Sequence, residues 1–330
     1  MTQSSRLSNI ELLRIFAIIG VLYGHAVGLV LGLPNADSIH QNFISSFFKL
    51  LIGNIFIGGV NVFILISGWF GIRANKKGLA KFLFQIIFLL WGIYLIAILI
   101  GKGTLNIEGI KWSLGLTKGY WFVMAYLGLY LVSPILNSFA EHATKKQFRS
   151  FLIGFYAFQC FFSWITGYVN YFEGYSIVFF CGLYLTARYL RLYPIALLTK
   201  HCGKIFITIV LMLSIILLFT LSYFNNAARM ARYDNPVVIL ASSSILLFVS
   251  KHPFQSKFIN WLASSCFAVY VIHFNPFVFP FLSTISEHIK QSYQGISYAI
   301  FITIFIITVY LVCVLIDQLR IFCWRPLQKK

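Results

Sequence analysis

Glu11, Arg14 and His25 are the residues of this 330-residue chain whose types and spacing could do chemistry together. On one helix, the eleven steps from Arg14 to His25 leave the two side chains about 20° apart in azimuth and about 16 Å apart along the axis. Glu11, three positions before Arg14, lies within about 60° of the same line and can pair with the guanidinium. The stripe therefore carries an acid-anchored cation at one level and an imidazole at another. A cation suits a phosphate-bearing cofactor, and a histidine with an ordinary pKa of about 6.5 can take a proton from a hydroxyl. That is the minimum apparatus for moving an acyl group from a thioester.

The element that must carry the stripe belongs to a chain built for a bilayer. Hydrophobic residues make up 59% of it, charged residues 10%, and the mean hydropathy is +0.84, which excludes an ordinary water-soluble globule. The 35 Phe, 18 Tyr and 7 Trp exclude a disordered chain, which needs low hydrophobicity and high charge. A spanning helix needs about 20 apolar residues. Dividing the uncharged stretches at Gly, Pro, Asn and charge clusters predicts an all-α polytopic membrane helix bundle of about ten transmembrane helices. The clear ones are Ile15 to Pro34, entered from Ile10, then Gly53 to Ile72, Phe82 to Gly101, Tyr120 to Asn137, Phe151 to Gly167, Ile205 to Tyr223, Phe258 to Phe281 and Ile296 to Ile316. Tyr168 to Ala187 contains Glu173, and Pro236 to Ser250 is short.

Charge sets the expected orientation. A net +18 in a soluble domain would suggest nucleic acid, but here the cations lie in short patches between apolar runs, the membrane pattern, so no nucleic-acid partner is expected. With the N-terminus cytoplasmic, the inner side receives nineteen of the 26 cations, including Arg6, Arg14, the cluster Arg73, Lys76, Lys77 and Lys81, and the tail Arg320, Arg325, Lys329 and Lys330. The positive-inside rule selects this orientation, and an even helix count then puts both termini in the cytoplasm of a cell-membrane protein. The first apolar run lacks a small-residue cleavage pattern and reads as a retained helix. No gap between spans is long enough for a soluble domain, so residues 1–330 are expected to form one integral-membrane domain with nothing soluble appended. The stretch from Arg188 to Lys204 alternates basic and apolar residues and is expected to lie along the inner membrane face.

The six cysteines form no CxxC pair, and neither a disulfide framework nor a metal site is expected. Of seven histidines only His25 and His273 fall inside apolar runs. An ionisable residue at bilayer depth is costly and is a functional candidate by default. Spacing leaves a second reading of the stripe open, in which Arg14 snorkels to the headgroups and His25 is a packing device that hydrogen-bonds a neighbouring helix. His273 is open in the same way, between lining an acceptor site and satisfying a helix contact.

Four segments, taken in order, resemble the membrane-bound acyltransferase 3 family of bacterial integral-membrane O-acyltransferases. Glu11, then Leu13-Arg14, then ten residues, then His25 is similar to the family's opening signature. Gly58 to Arg73 is similar to its glycine-entry, Phe-rich helix with a Ser-Gly ending and a basic residue after it, here Ser67-Gly68 and Arg73. Tyr120-Trp121-Phe122 running to Pro134 resembles its Trp-Phe to Pro helix, and Ser265 to His273, through Tyr270, its late Tyr to His segment. The resemblance implies a ten-helix core, a cytoplasmic acyl-coenzyme A donor and a carbohydrate or cell-envelope hydroxyl as acceptor. It also implies that His25 is the essential histidine and Arg14 the essential arginine. The family often appends an extracytoplasmic hydrolase-like domain, and this chain ends at Lys330 without one.

The expected mechanism has coenzyme A phosphates, most simply those of acetyl-coenzyme A, held by Arg14 with Arg73, Lys76 and Lys77. Ordinary topology-setting charge accounts for that cluster equally well. His25 then acts as general base on a polysaccharide or lipid-linked glycan hydroxyl, or carries the acyl group itself for one step. Tyr120 and Trp121 stand where an aromatic belt is expected and otherwise stack on sugar rings with His273 on the acceptor side. Arg229 and Arg232 are expected outside, where they can meet an anionic glycan or lipid phosphate. The competing function is a transporter or flippase that moves an anionic or lipid-linked glycan without acyl transfer, for which intramembrane Arg and His serve as well.

Overall fold

A chain immersed in hydrocarbon must satisfy its own backbone hydrogen bonds, and here it does so with helices alone. A computed structural model describes residues 7–115, 117–167, 173–224 and 229–328, among which there is no strand. In chain order the long helices are α1 (Ser8–Leu29), α2 (Phe43–Phe70), α3 (Lys76–Leu99), α4 (Trp121–His142), α5 (Lys145–Ile165), α6 (Ile177–Leu192) and α7 (Ala196–Phe224). They are followed by α8 (Pro236–Ser250), α9 (Cys266–His273), α10 (Phe279–Ser292) and α11 (Gly295–Trp324). Among the described residues, α1 to α5, α7 and α11 are seven helices long and apolar enough to cross a membrane, and α8 is apolar but shorter. The protein is an all-α, multi-pass membrane protein.

Helix ends depart from the expected ones for identifiable reasons. The second helix starts ten residues early, at Phe43, because Asn42 caps it by accepting from Ser45 N and Lys49 does not stop it. A lysine's long stem can stay on an apolar face while its ammonium reaches polar surroundings. Helix α2 is then interrupted at Ile57 and Gly58. Helix α6 was expected from Tyr168, and residues 168–172 lie outside the described residues. Glu173 and Gly174 take positive φ, 56° and 96°, so the helix begins only after Ser176, which caps Phe179 N. The stretch from Arg188 to Lys204 is not one interfacial element: α6 ends at Leu192 and α7 starts at Ala196. The span expected from Phe258 to Phe281 is divided into Lys257–Ala263, α9 and the start of α10. Pro276 removes a donor and disfavours a helical Asn275 before it, which ends α9 at His273.

The last helix runs eight residues beyond the expected Ile316. Arg320 is no cytoplasmic tail cation: its Nε and Nη2 donate to Asp317 Oδ1 and Oδ2 at 2.9 and 2.7 Å, and both side chains are buried. Two charges three positions apart neutralise each other on one helix face, so the helix need not end there. Arg6, Lys329 and Lys330 lie outside the described residues.

The chain divides into two compact units, each assembled from three separated stretches. The first takes residues up to Val21, Leu33–Arg73 and Ala125–Asn260, and the second takes Leu22–Gly32, Ala74–Met124 and the chain from Trp261 onward. In the first unit α2 packs on α6 and α8, and α7 packs on α8. Ile64, Leu65 and Ile66 of α2 and Leu183 and Tyr184 of α6 are among its buried residues. The α2 to α6 approach depends on Gly68, where a Cβ would lie 2.3 Å from Tyr184 O and 2.8 Å from its Cα. Backbone cannot swing aside as a side chain can, so Gly68→Ala is expected to force the helices apart and cost about 1–3 kcal/mol. A lowered midpoint of thermal unfolding in detergent would register it. An unchanged midpoint would mean that the helices slide freely past each other.

Arg232 faces no solvent ligand. It is 9% exposed, its Nε and Nη2 donate to both oxygens of Asp234 at 2.9 and 2.7 Å, and Ser163 also donates to Asp234. The expected glycan contact of Arg232 is therefore replaced by an internal ion pair that ties its loop to α5. Arg229 donates to Ile165 O on the same helix.

In the second unit α9 packs on α3 and α11. Phe82 of α3 meets Phe267 at a ring-centroid distance of 5.2 Å. Helix α1 contributes to both units, its residues up to Val21 to the first and Leu22 onward to the second.

Candidate active site

Helix α1 is α-helical from Ser8 to Tyr23 and π-helical from Gly24 to Leu29. π-Helical turns inside α-helices are rare and frequent at functional sites. His25 sits in this wider turn, on a stretch with two glycines, Gly24 and Gly28, that meet nothing at Cβ distance. The constant 100° step that aligned Arg14 with His25 therefore holds only as far as Tyr23.

The structure brings His25 and His273 together. His25 Nδ1 and His273 Nε2 are 2.9 Å apart, joining residues 248 positions apart in the chain. His273 Nδ1 is 2.6 Å from Val269 O, four residues earlier on α9. A carbonyl oxygen can only accept, so His273 carries its proton on Nδ1. With His273 1% exposed, a neutral ring is the form that apolar surroundings favour, and its Nε2 is then an acceptor. His25 must donate from Nδ1. Its own Nε2 is left with a lone pair, the state that a general base or a nucleophile requires.

The surroundings hold both rings in place. Phe274 lies 4.5 Å from the His25 ring centroid, and Phe279 meets it edge-on at 6.2 Å. A cavity of about 20 Å³ adjoins both histidines and is also lined by Phe279, Ser283, Ser286 and Phe305. That is room for about one water molecule or one hydroxyl. Ser283 and Ser286 donate to Phe279 O and Leu282 O, which leaves oxygen lone pairs for a guest that donates.

Tyr120 and Tyr270 brace α9 from the other side. Tyr120 Oη donates to Val271 O at 3.2 Å, and Tyr270 Oη donates to Gly119 O at 3.3 Å. Tyr120 is fully buried, with Tyr270 edge-on at 6.4 Å and Trp112 at 5.7 Å, so it is neither a surface belt residue nor an exposed sugar platform. Its neighbour Trp121 is half-buried at the start of α4.

Arg14 falls in the first unit. Its Nη1 donates to both oxygens of Glu11, at 3.1 and 2.8 Å, as the sequence spacing led one to expect. Its Nε and Nη2 donate to nothing among the described residues. Ser8 and Asn9 fix this end of α1, through Asn260 Oδ1 at 2.9 Å and Val249 O at 2.8 Å. Arg73, at the exit of α2, is exposed, as are Lys76 and Lys77 in the first turn of α3. Asn75 caps that turn by accepting from Gly78 N. Among the described residues no group of three or more His, Cys, Asp or Glu is placed to hold a metal ion, and none of the six cysteines is in a disulfide.

Sequence reasoning missed the pairing of the two histidines, the cavity serines and the bracing role of Tyr270. The signals present were the placement of Tyr270 and His273 in one short segment and the three-residue spacing of Ser283 and Ser286. The family model described as an acyltransferase domain matches residues 7–317. No curated protein and no solved structure matches the chain.

Proposed function

Since the chain belongs to the acyltransferase 3 family and is a membrane acyltransferase, we propose that it transfers a short acyl group from cytoplasmic acyl-coenzyme A to a carbohydrate hydroxyl. Acetyl is the first choice of group and succinyl the second, and the acceptor is a cell-surface or envelope polysaccharide or a lipid-linked glycan. The observation that carries this reading is the pair of histidines, in which His273 orients His25 so that Nε2 keeps its lone pair.

In the direct route, His25 Nε2 takes the proton of the acceptor hydroxyl as its oxygen attacks the thioester carbonyl carbon. The carbon to sulfur bond then breaks, and the proton passes from His25 to the departing thiolate, which leaves as coenzyme A thiol. In the carrier route the same nitrogen attacks the carbonyl, the carbon to sulfur bond breaks and coenzyme A departs as thiolate; the hydroxyl oxygen then takes the acyl group from His25, and its proton, left on the imidazole, passes to the thiolate. Arg14, Arg73, Lys76 and Lys77 are the cations assigned to the donor phosphates, since multiply charged phosphates need cations. His273 is a positioning residue, since it acts through His25.

The test is transfer of label from radioactive acetyl-coenzyme A to glycan in membranes that contain the protein and its acceptor. Transfer dependent on the protein supports the reading, and coenzyme A release without a labelled glycan would overturn the choice of acceptor. His273→Ala is expected to lower kcat about 10- to 100-fold, the loss usual when the partner orienting an imidazole is removed. The donor KM should stay unchanged and the pH profile should shift. A purely structural role would instead lower the amount of folded protein and leave kcat per folded molecule as it was.

A further inference from the structure

A second cavity, of about 580 Å³, lies within the first unit between α1, α2, α7 and α8. Its size falls in the range of about 300–1,000 Å³ typical of pockets for small organic ligands. The walls are apolar, with Leu13 and Phe16 from α1, Val62 from α2, Phe206 from α7 and Ile245 from α8. No Asp, Glu, Lys or Arg lines it, so it offers nothing to a phosphate or a nucleotide.

Its polar atoms, inside the exposed rim residue His252, follow one pattern. The Ser214 hydroxyl donates to Val210 O at 2.7 Å, so its oxygen can only accept from Asn54, whose Nδ2 lies 3.0 Å away. This fixes the Asn54 amide. Its Oδ1 accepts from nothing among the described residues, although Asn54 lines the cavity and is 4% exposed. Ser242, also in the wall, donates to Val238 O at 2.8 Å and keeps lone pairs on its oxygen. That oxygen stays uncovered because residue 58 is glycine: a Cβ there would lie 2.3 Å from Ser242 Oγ. Asn9 donates one amide N–H to Val249 O, and its buried Oδ1 accepts from nothing among the described residues. The wall thus holds three acceptor oxygens with no donor among the described residues, Asn9 Oδ1, Asn54 Oδ1 and Ser242 Oγ, and a buried acceptor left unpaired is costly.

We infer that this pocket binds a single alkyl chain whose head carries a hydrogen-bond donor, a hydroxyl or an amide N–H. Two sources supply the chemistry: a hydroxyl-bearing membrane lipid such as a monoacylglycerol, or the amide-bearing arm of a long-chain acyl thioester. The inference does not rest on the acyl-transfer reading and stands if that reading fails.

The experiment is photolabelling of the full-length protein in phosphatidylcholine nanodiscs with diazirine-bearing hexadecanol, beside a diazirine hydrocarbon of equal length, with the labelled peptides mapped by mass spectrometry. Labels should concentrate on peptides covering residues 9–17, 54–62 and 241–254. The alcohol should label them about fivefold more than the hydrocarbon, the ratio given by about one net hydrogen bond. Unlabelled hexadecanol should compete, and competition by monoacylglycerol or by palmitoyl-coenzyme A identifies the source. Ile245→Trp should remove these labels and leave those on α11 unchanged. Asn54→Leu should abolish the preference for alcohol while hydrocarbon labelling persists, which keeps the test decisive if the tryptophan variant does not fold. Equal labelling by both probes, no competition by hexadecanol, or labels spread over all lipid-facing helices would overturn the inference.

Discussion

His25→Ala is expected to lower acyl transfer by about 10²- to 10⁴-fold, the usual worth of a positioned acid-base group. The loss should fall on kcat and leave the donor KM near its original value, because the imidazole is used at the reacting bond and not at the phosphates. The measurement is turnover of labelled acetyl-coenzyme A per molecule of inserted protein, compared with the wild type. Full turnover in the variant would return His25 to the packing role that its spacing also allowed. The paired variants sharpen the result. If His273 acts only through His25, then His273→Ala on top of His25→Ala should cost nothing further. Additive losses would mean that the two rings work separately. Rapid denaturation in detergent at neutral to mildly alkaline pH during turnover separates the routes, since a carrier histidine leaves label on the wild-type protein and none on His25→Ala.

The second large effect concerns stability. Asp317→Leu removes the partner of Arg320, which is 3% exposed and left as a charge inside the last long helix. Breaking a buried pair by removing one member costs about 3–5 kcal/mol, whereas replacing both members with apolar residues is often nearly neutral. The single variant should therefore melt well below the wild type in detergent, and Asp317→Leu with Arg320→Leu should recover most of the difference. Recovery failing in the double variant would show that the pair has a role beyond mutual neutralisation.

The class of the protein and the Glu11 to Arg14 contact are legible in the sequence because both rest on local pattern. Apolar length predicts helices, and the boundaries of Pro236 to Ser250 agree with α8 to the residue. The Glu11 to Arg14 contact follows from a three-residue spacing on one helix. Helix ends depart from the expected ones where a charge marks the expected boundary. Lys49, Arg188, Lys200, Lys204 and Arg320 all lie within helices, since a stem, a helix end or an adjacent carboxylate accommodates each of them. The join of His25 to His273 was beyond local pattern. Each histidine was visible alone, but no periodicity links positions 248 residues apart, and the break at Asn275-Pro276 that ends α9 at His273 was read as continuous helix.

The distance along the chain between the two histidines also has a consequence for biosynthesis. At about 5–20 residues per second, a ribosome takes about 12–50 s to travel the 248 residues from His25 to His273. Throughout that interval the nascent first helix holds an imidazole whose eventual partner does not yet exist. The same holds for Tyr120, which waits for Val271. The second unit draws its last stretch from Trp261 onward, so it closes only after that stretch has been made. A chain stopped at residue 260 would retain every stretch of the first unit and lack the whole partner set of His25. Every nascent chain passes through this composition before its second unit can close.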